Sequence, residues 1–344
     1  MYRFILFSLL FLIGYLPVAA QSVVLTEQTL PAPVSYRGMH VLSDSLVWMS
    51  GPEGTILRTS NGGGSWERLP PPPAHSLDYR TLWAFDDQTA VIGTAGQPAL
   101  IYRTEDGGTS WQEVYRDSTG EAFFDALLFG DDSVGIMMSD PVEGKFLLLA
   151  TVYGGREWRP VPAEAVPDAI AGEAGFAASN SGMIALGDSV LMFATGGSKV
   201  RVIRLDGSQP GWYPVELPME ATSEARGVYS MAHNARGYVV AVGGDYTKVE
   251  EEENNLVVSA DGGLTWERID GSGLRGYRSG VAYVPGTDAT FVAVGTSGMD
   301  ITRDGGQSWE PLSDLKLNAI RMAPSGKVGW AVGPEGNLVK LVVE

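Results

Sequence analysis

The sequence contains no cysteine among its 344 residues. Disulfide bonds, thiolate nucleophiles, cysteine-ligated zinc, iron–sulfur clusters and a lipidated cysteine are therefore excluded. Histidine is scarce as well: His40, His75 and His233 are the three histidines of the chain, and their spacing is not that of metal ligands. Long helical patterns are missing, so no helix is expected that could receive a dinucleotide pyrophosphate. We expect neither a metal site nor a cofactor.

Basic residues are also in short supply. The chain has 24 Lys and Arg against 41 Asp and Glu, which gives a formal net charge of −17. A nucleic acid would be repelled by this net charge, and the sequence has no basic run with interleaved aromatic residues. We therefore expect no nucleic-acid partner, and we interpret the acidity as favouring solubility outside the cell.

One long apolar run stands at the N-terminus. Residues 1–20 combine Arg3 with an apolar core over residues 4–16 and a small-residue cleavage site over residues 18–20, which is the pattern of a secretory signal peptide. The alternative is a membrane anchor, but a span needs roughly 20 apolar residues and this core is shorter. We predict that cleavage leaves one domain over residues 21–344. The protein would then be exported, periplasmic or secreted in the bacterial manner, with no remaining membrane span.

A glycine-rich turn that ends in tryptophan recurs along the chain. Three copies have the pattern Ser/Thr-x-Asp-Gly-Gly-x-Ser/Thr-Trp; their Asp and Trp residues are Asp106 and Trp111, Asp261 and Trp266, and Asp304 and Trp309. Degenerate copies end at Trp66, Trp158 and Trp212, so the spacings between successive tryptophans are 45, 47, 54, 54 and 43 residues. A period of this length, filled with short β-branched runs, is typical of the four-stranded blades of a β-propeller.

Seven such units fit the chain, beginning near residues 36, 79, 124, 181, 226, 277 and 317. In the second unit the pattern predicts strands over residues 80–85, 90–93, 99–104 and 111–114. The last unit ends at Glu344 after three strands, while residues 22–29 read as an unassigned strand. We predict an all-β, seven-bladed propeller of four-stranded antiparallel blades, in which this N-terminal strand is the outer strand of the last blade and closes the ring.

The chemistry of the repeated turn explains its residues. Aspartate accepts hydrogen bonds from turn amides, glycine adopts positive φ, and tryptophan packs under the hairpin. We therefore interpret Asp106, Asp261 and Asp304 as structural, and we assign no catalytic residue.

These turns resemble those of a known family. Together with strands such as residues 55–59 (Thr-Ile-Leu-Arg-Thr) and with Tyr-Arg or Ala-Arg at the first strand of a unit, they resemble the photosystem II stability/assembly factor family of Asp-box (BNR-repeat) β-propellers. The resemblance covers essentially all of residues 21–344. It implies a non-catalytic, seven-bladed propeller that holds a protein client during assembly, using arginines on one face. The Asp-box turn by itself is shared with sialidases, xyloglucanases and sortilin-like receptors.

Charged residues open the first strand of several units. They are Arg37, Arg80, Asp125, Arg226 and Arg278. In a propeller these positions surround the upper mouth of the channel, on the face opposite the Asp boxes. We hypothesise that the arginines converge there on a carboxylate, such as a peptide C-terminus or an acidic sugar. The alternative is that each arginine is structural and pairs with an upper loop, with Glu53 and Glu335 as candidate partners.

The longest upper connection spans residues 243–255 and departs most from the repeat length. Inserted loops often carry function, so Tyr246 joins the candidate partner-binding residues. The run Glu250–Glu253 either attracts a cation or a basic partner, or is a solvated loop.

Two functions from different classes follow. The first is an exported, non-catalytic propeller that binds a protein client or acts as a scaffold through its upper face. The alternative is a glycoside hydrolase of sialidase type acting on acidic glycans, which needs three arginines on the sugar carboxylate, a Tyr–Glu pair and an acid/base Asp. Residues 36–39 match the Arg-Ile-Pro motif of sialidases only in part, and no Tyr–Glu pair can be matched, so we favour the first.

Overall fold

The computed structural model describes residues 22–344, and the predicted signal peptide at residues 1–20 lies outside the described residues. The described chain forms seven antiparallel sheets, with two short 3-10 helices at Ala163–Ala165 and Pro334–Gly336. The first strands of neighbouring sheets contact one another all the way round, so they form the inner ring of a propeller. The predicted all-β, seven-bladed fold is confirmed.

The strands of each blade follow from the channel outward. Blade 1 has Gly38–Val41, Val47–Ser50, Ile56–Thr59 and Glu67–Leu69; blade 2 has Tyr79–Ala84, Ala90–Thr94, Leu100–Thr104 and Gln112–Arg116. Blade 3 has Phe124–Phe129, Gly135–Val142, Lys145–Thr151 and Arg159–Pro160; blade 4 has Met183–Leu186, Val190–Ala194, Arg201–Leu205 and Tyr213–Glu216. Blade 5 has Arg226–His233, Val239–Asp245, Leu256–Ser259 and Glu267–Arg268; blade 6 has Gly280–Tyr283, Phe291–Gly295, Gly298–Thr302 and Glu310–Ser313. Blade 7 has Ala319–Met322, Val328–Val332, Asn337–Val343 and, as its outer strand, Val23–Thr29.

The N-terminal strand closes the ring as predicted. Val23–Thr29 pairs antiparallel with Asn337–Val343 in continuous register, from Val23 opposite Val343 to Thr29 opposite Asn337. Because this strand completes the fourth position of blade 7, the first and last blades are joined and no free edge is left there.

One feature of the sheets was not predicted. The short strands Glu173–Ala174 and Gly196–Gly197 extend blade 5 at its inner edge, beside Arg226–His233. The pairing depends on glycine, because a Cβ at Gly196 would lie 2.6 Å from the Cα of Gly227. The inner wall is therefore thickened at this one position of the ring.

The apolar core lies between adjacent blades. Between blades 1 and 2, for example, Trp48, Leu69, Leu82 and Tyr102 are buried together with the turn residue Trp111. Burial of large side chains of this kind contributes about 1.5–3 kcal/mol each, so the blade interfaces hold the ring together.

The Asp-box turns have the geometry that their residues suggest. Asp106 accepts hydrogen bonds from the hydroxyl of Thr104 (2.8 Å) and the N–H of Ser110 (2.9 Å), while Gly107 and Gly108 adopt φ of 72° and 82°. Hydrogen bonds, first among them that from the Ser110 hydroxyl, lower the pKa of Asp106 to about 2. Asp261 and Asp304 repeat the arrangement. The N–H of Gly107 bonds the carbonyl of Gln88, so these turns share a face with the turns between first and second strands.

Candidate functional site

The central channel is crossed by residues 175–181, which connect blades 3 and 4 and are called the channel segment below. Asn180 ties the channel segment to two blades: its amide donates to the carbonyl of Leu82 (2.9 Å) and its side-chain oxygen accepts from the N–H of Leu127 (2.7 Å). Further hydrogen bonds reach four more blades, through Arg37 to Ala178, Ser181 to Ser230, Ser179 to Ser279, and Arg321 to Ser179 and Asn180. The channel segment thus separates an upper cavity from a lower one.

The upper cavity has a volume of about 760 Å³ and opens at the start of the innermost strands. It is two-sided. Charged side chains line one side, and they are Arg37, Arg80, Asp125, Asp140 and Glu173. Aromatic side chains line the other side, and they are Phe176, Tyr229, Tyr246 and Tyr277.

Arg37 and Arg80 are the two arginines that line this cavity. Arg37 donates to the carbonyl of Ala178 (3.2 Å), and no carboxylate within residues 22–344 lies at ion-pair distance from it. Arg80 binds Asp78 through Nε (2.7 Å), which leaves the outer edge of its guanidinium directed at the channel segment. Burial and the neighbouring charge of Arg80 lower the pKa of Arg37. Two cations that repel each other across a cavity favour an anion between them.

Asp125 lies beside Arg80 in an unusual environment. Its side chain is 1% exposed, and neither carboxylate oxygen has a hydrogen-bond partner within the described chain. Burial raises the pKa of Asp125 well above its ordinary value; Asp140 adds to the shift and Arg80 opposes it. Burial also raises the pKa of Asp140 to about 6, although the N–H of Gly175 donates to it at 2.8 Å. Next to the two cations the cavity therefore holds a carboxyl group that favours its proton.

Glu173 contributes less to the cavity than its position suggests. Its side chain is fully buried, ion-paired with Arg201, and accepts a hydrogen bond from the hydroxyl of Thr195 (2.7 Å). Because its oxygens are already satisfied, Glu173 holds the inserted strands against blade 4 and is not available to a ligand.

The aromatic side forms a continuous stack. Phe176 of the channel segment lies flat on Tyr229 with ring centroids 4.0 Å apart, and Tyr277 meets Tyr229 edge-on at 4.8 Å. Tyr246, on the long upper loop, approaches Tyr229 edge-on at 6.4 Å and is 52% exposed. Exposed aromatic surface next to charged groups is the kind of surface that protein partners contact.

Arg226 and Arg278 are not brought to the cavity. Arg226 is 1% exposed and its guanidinium binds Glu251 (2.6 Å) and two carbonyls of the long upper loop. Arg278 is fully buried on the carboxylate of Asp300. Both are structural, as the alternative interpretation of the arginines held, although their partners are Glu251 and Asp300. The proposed partners Glu53 and Glu335 instead shape turns, with φ of 54° and 58°.

Among the candidate residues, the structure therefore groups Arg37, Arg80, Asp125 and Tyr246 at one site. Sequence reasoning missed Asp140, Tyr229, Tyr277 and the channel segment. The available signal was the spacing from Trp158 to Trp212, which at 54 residues exceeds the spacing of the intact repeats.

Within residues 22–344, no group of three or more His, Asp or Glu is placed to hold a metal ion. None of the helices in that same range has the length and apolar character to span a bilayer.

Comparison with known proteins gives both a family and a set of folds. The model of the family described as Photosynthesis system II assembly factor YCF48 matches residues 45–273. A solved structure described as YCF48 bound to D1 peptide is 17% identical with a TM-score of 0.67, covering 93% of this chain and 97% of that chain. YCF48 from Cyanidioschyzon merolae is also 17% identical, with a TM-score of 0.63 and coverages of 92% and 98%.

Another similar fold belongs to an enzyme. The GH74 xyloglucanase from Xanthomonas campestris is 14% identical with a TM-score of 0.61, covering 92% of this chain and 53% of that chain. No curated protein matches the sequence. At such identities the structural likenesses show the propeller fold and nothing finer.

Proposed function

This chain belongs to the family of the photosynthesis system II assembly factor YCF48, and on that premise we propose that it is an exported, non-catalytic scaffold that binds a protein client through its upper cavity. A solved YCF48 structure holds a D1 peptide, so a peptide is the class of ligand that we transfer to this chain. Export rests on the signal-peptide pattern of residues 1–20.

The observation that carries the proposal is the pairing of Arg37 and Arg80 opposite an aromatic wall in one open cavity. Arg37 has no carboxylate partner within residues 22–344, and Arg80 is only partly engaged by Asp78. A carboxylate from a peptide C-terminus or an acidic side chain would complete this pair through charge-assisted hydrogen bonds. Tyr246 would pack against the apolar part of the same segment.

The geometry gives less support to the sialidase-type hydrolase. Such a site needs three arginines on the sugar carboxylate, whereas two arginines line the upper cavity. Arg226 and Arg278, which would have supplied the third, are held by Glu251 and Asp300. We therefore retain acidic-glycan cleavage as an outcome that the experiment must measure.

The test is affinity capture from the native envelope with three forms of the exported protein. They are the wild type, the double variant Arg37→Ala/Arg80→Ala, and the control Arg159→Ala/Arg236→Ala. The control removes the same two charges from side chains that are 76% and 77% exposed and do not line the cavity. We expect a client that the wild type and the control retain and that the cavity variant loses.

A synthetic peptide copied from the captured client then tests the chemistry. If its carboxylate is the group bound, its amide form should bind at least about tenfold more weakly, as expected for loss of a charge-assisted pair. A client retained equally by the cavity variant would contradict binding at this site. Absence of any client, together with release of sugar from sialosides by the wild type, would establish the hydrolase instead.

A further inference from the structure

A second cavity lies below the channel segment, on the side of the Asp-box turns. Its volume is about 340 Å³, and it is lined by residues further along the same innermost strands that open the upper cavity. The lining is mostly apolar and includes Leu82, Leu127, Ile184 and Val281. The volume falls near the lower limit of ligand pockets, which usually measure ~300–1,000 Å³.

Four methionines give this cavity an adaptable wall. They are Met39, Met183, Met231 and Met322, contributed by four different blades. Unbranched thioether side chains adjust to the shape of an apolar guest with little loss of packing. No Asp or Glu is among the residues that line the cavity within the described chain.

One cation faces this apolar space. Arg321, on the innermost strand of blade 7, donates from Nη1 to the carbonyl of Ile320 and from Nη2 to the carbonyls of Ser179 and Asn180, each at 2.8 Å. No carboxylate within residues 22–344 lies at ion-pair distance from it. A guanidinium has five N–H donors, so two remain after these three bonds. Burial lowers the pKa of Arg321 to about 10, which still leaves it charged at neutral pH.

His40 adds a second donor beside this charge. Its Nδ1 accepts a hydrogen bond from the N–H of Ala84 (2.9 Å), so in the neutral ring the proton is on Nε2. The ring is fixed against Trp83, with centroids 4.2 Å apart. Burial and the charge of Arg321 lower the pKa of His40 to about 4, so the imidazole is neutral at physiological pH and Nε2 donates.

We propose that the lower cavity binds a small apolar monocarboxylate, such as a medium-chain fatty acid, with its carboxylate on Arg321 and His40 and its tail along the methionine wall. A buried cation without a counter-ion is costly, and a single carboxylate supplies the missing charge. The apolar lining selects for one charged group only, since a second charge would be placed against methionine and leucine. This site is separate from the upper cavity, and its occupancy does not depend on the proposed client.

Octanoate is the probe, with octanol and octylamine as head-group controls, all titrated into the exported protein by calorimetry below their aggregation limits. We expect saturable binding of one octanoate, binding of octanol at least tenfold weaker, and no binding of octylamine. Equal affinity for octanoate and octanol would overturn the role of Arg321. Absence of octanoate binding would overturn the proposal as a whole.

Two substitutions of the same kind locate the site. Ala232 lines the lower cavity, and Ala232→Phe should fill it and abolish octanoate binding. Ala260→Phe is the control, because Ala260 is exposed on an Asp-box turn of the same blade, where the equivalent positions hold Glu105 and Arg303. If Ala232→Phe leaves octanoate binding unchanged, the ligand is elsewhere and the proposal is wrong.

Arg321→Met tests the head group directly. Arg321 also holds the channel segment, so the fold of this variant is checked first by circular dichroism and thermal unfolding. If it folds, octanoate affinity should fall at least tenfold, to that of octanol; an unchanged affinity would contradict the proposal. If it does not fold, the Ala232→Phe and Ala260→Phe pair decides.

Discussion

Replacing Asp300 with alanine should strongly destabilise the protein, because it would leave a buried arginine without its counter-ion. The Asp300 side chain is fully buried and binds Arg278 through Nε (3.0 Å) and Nη2, while Arg275 approaches its other oxygen at 2.7 Å. Arg278 is itself fully buried, so water cannot take the place of the lost carboxylate.

The expected loss is about 3–5 kcal/mol, as is typical when one partner of a buried ion pair is removed. Unfolding entropy is roughly 2.1 cal/mol/K per residue, which for a chain of this length amounts to about 0.7 kcal/mol/K. The midpoint of thermal unfolding should therefore fall by about 4–7 °C. Scanning calorimetry on the exported protein measures this shift.

Asp314 provides the matched control within the same cluster. It also pairs with Arg275 (2.7 Å), but its side chain is 95% exposed. Asp314→Ala should cost less than about 1 kcal/mol, and so shift the midpoint by about 1 °C. Equal, small shifts for both variants would refute the reasoning, and would return Arg278 to the residues free to bind a ligand.

Three further substitutions follow from the described contacts. Asp140→Asn should stabilise the protein by up to about 3 kcal/mol above pH 6 and by nothing near pH 4: the raised folded-state pKa of about 6 means that the wild type loses stability as the pH rises from about 4 to 6, which denaturant unfolding at several pH values would show. Asp261→Ala removes the bonds from Ser259 and Thr265 and should cost about 1–2 kcal/mol by the same assay. Deleting residues 22–30 uncovers the edge of Asn337–Val343, so gel filtration should detect self-association and calorimetry a lower midpoint.

The blades could be predicted from the sequence because their signals are local. The turn around Asp106 contains its own hydrogen-bond partners within a few residues, and it fixes where the flanking strands end. In the second blade the predicted strands over residues 80–85 and 90–93 compare with Tyr79–Ala84 and Ala90–Thr94 in the structure. Ring closure was predictable for a similar reason, since a blade of three strands requires a fourth.

The site was only half predictable, because equivalent positions in a repeat need not have equivalent partners. Arg37 and Arg278 each lie just before the innermost strand of their blade, yet Arg37 faces the cavity and Arg278 is buried on Asp300. The difference was present in the sequence. Two residues before the turn residue Thr302 stands Asp300, whereas two residues before Thr59 stands Leu57. An acidic residue in a strand position that is apolar in a sister blade indicates a buried partner for the arginine of its own blade.

The two irregular spacings of the repeat mark the two places where this propeller departs from a simple ring. The interval from Trp158 to Trp212 and that from Trp212 to Trp266 are both 54 residues, longer than the other three. The first contains the channel segment, which divides the channel into two cavities; the second contains the loop that binds Arg226 and carries Tyr246. Blade strands cannot lengthen without losing register with their neighbours, so the additional residues must lie in the connections. In a repeat protein of this kind, the excess length of a unit therefore indicates where the channel and its mouth acquire side chains that the repeat itself does not supply.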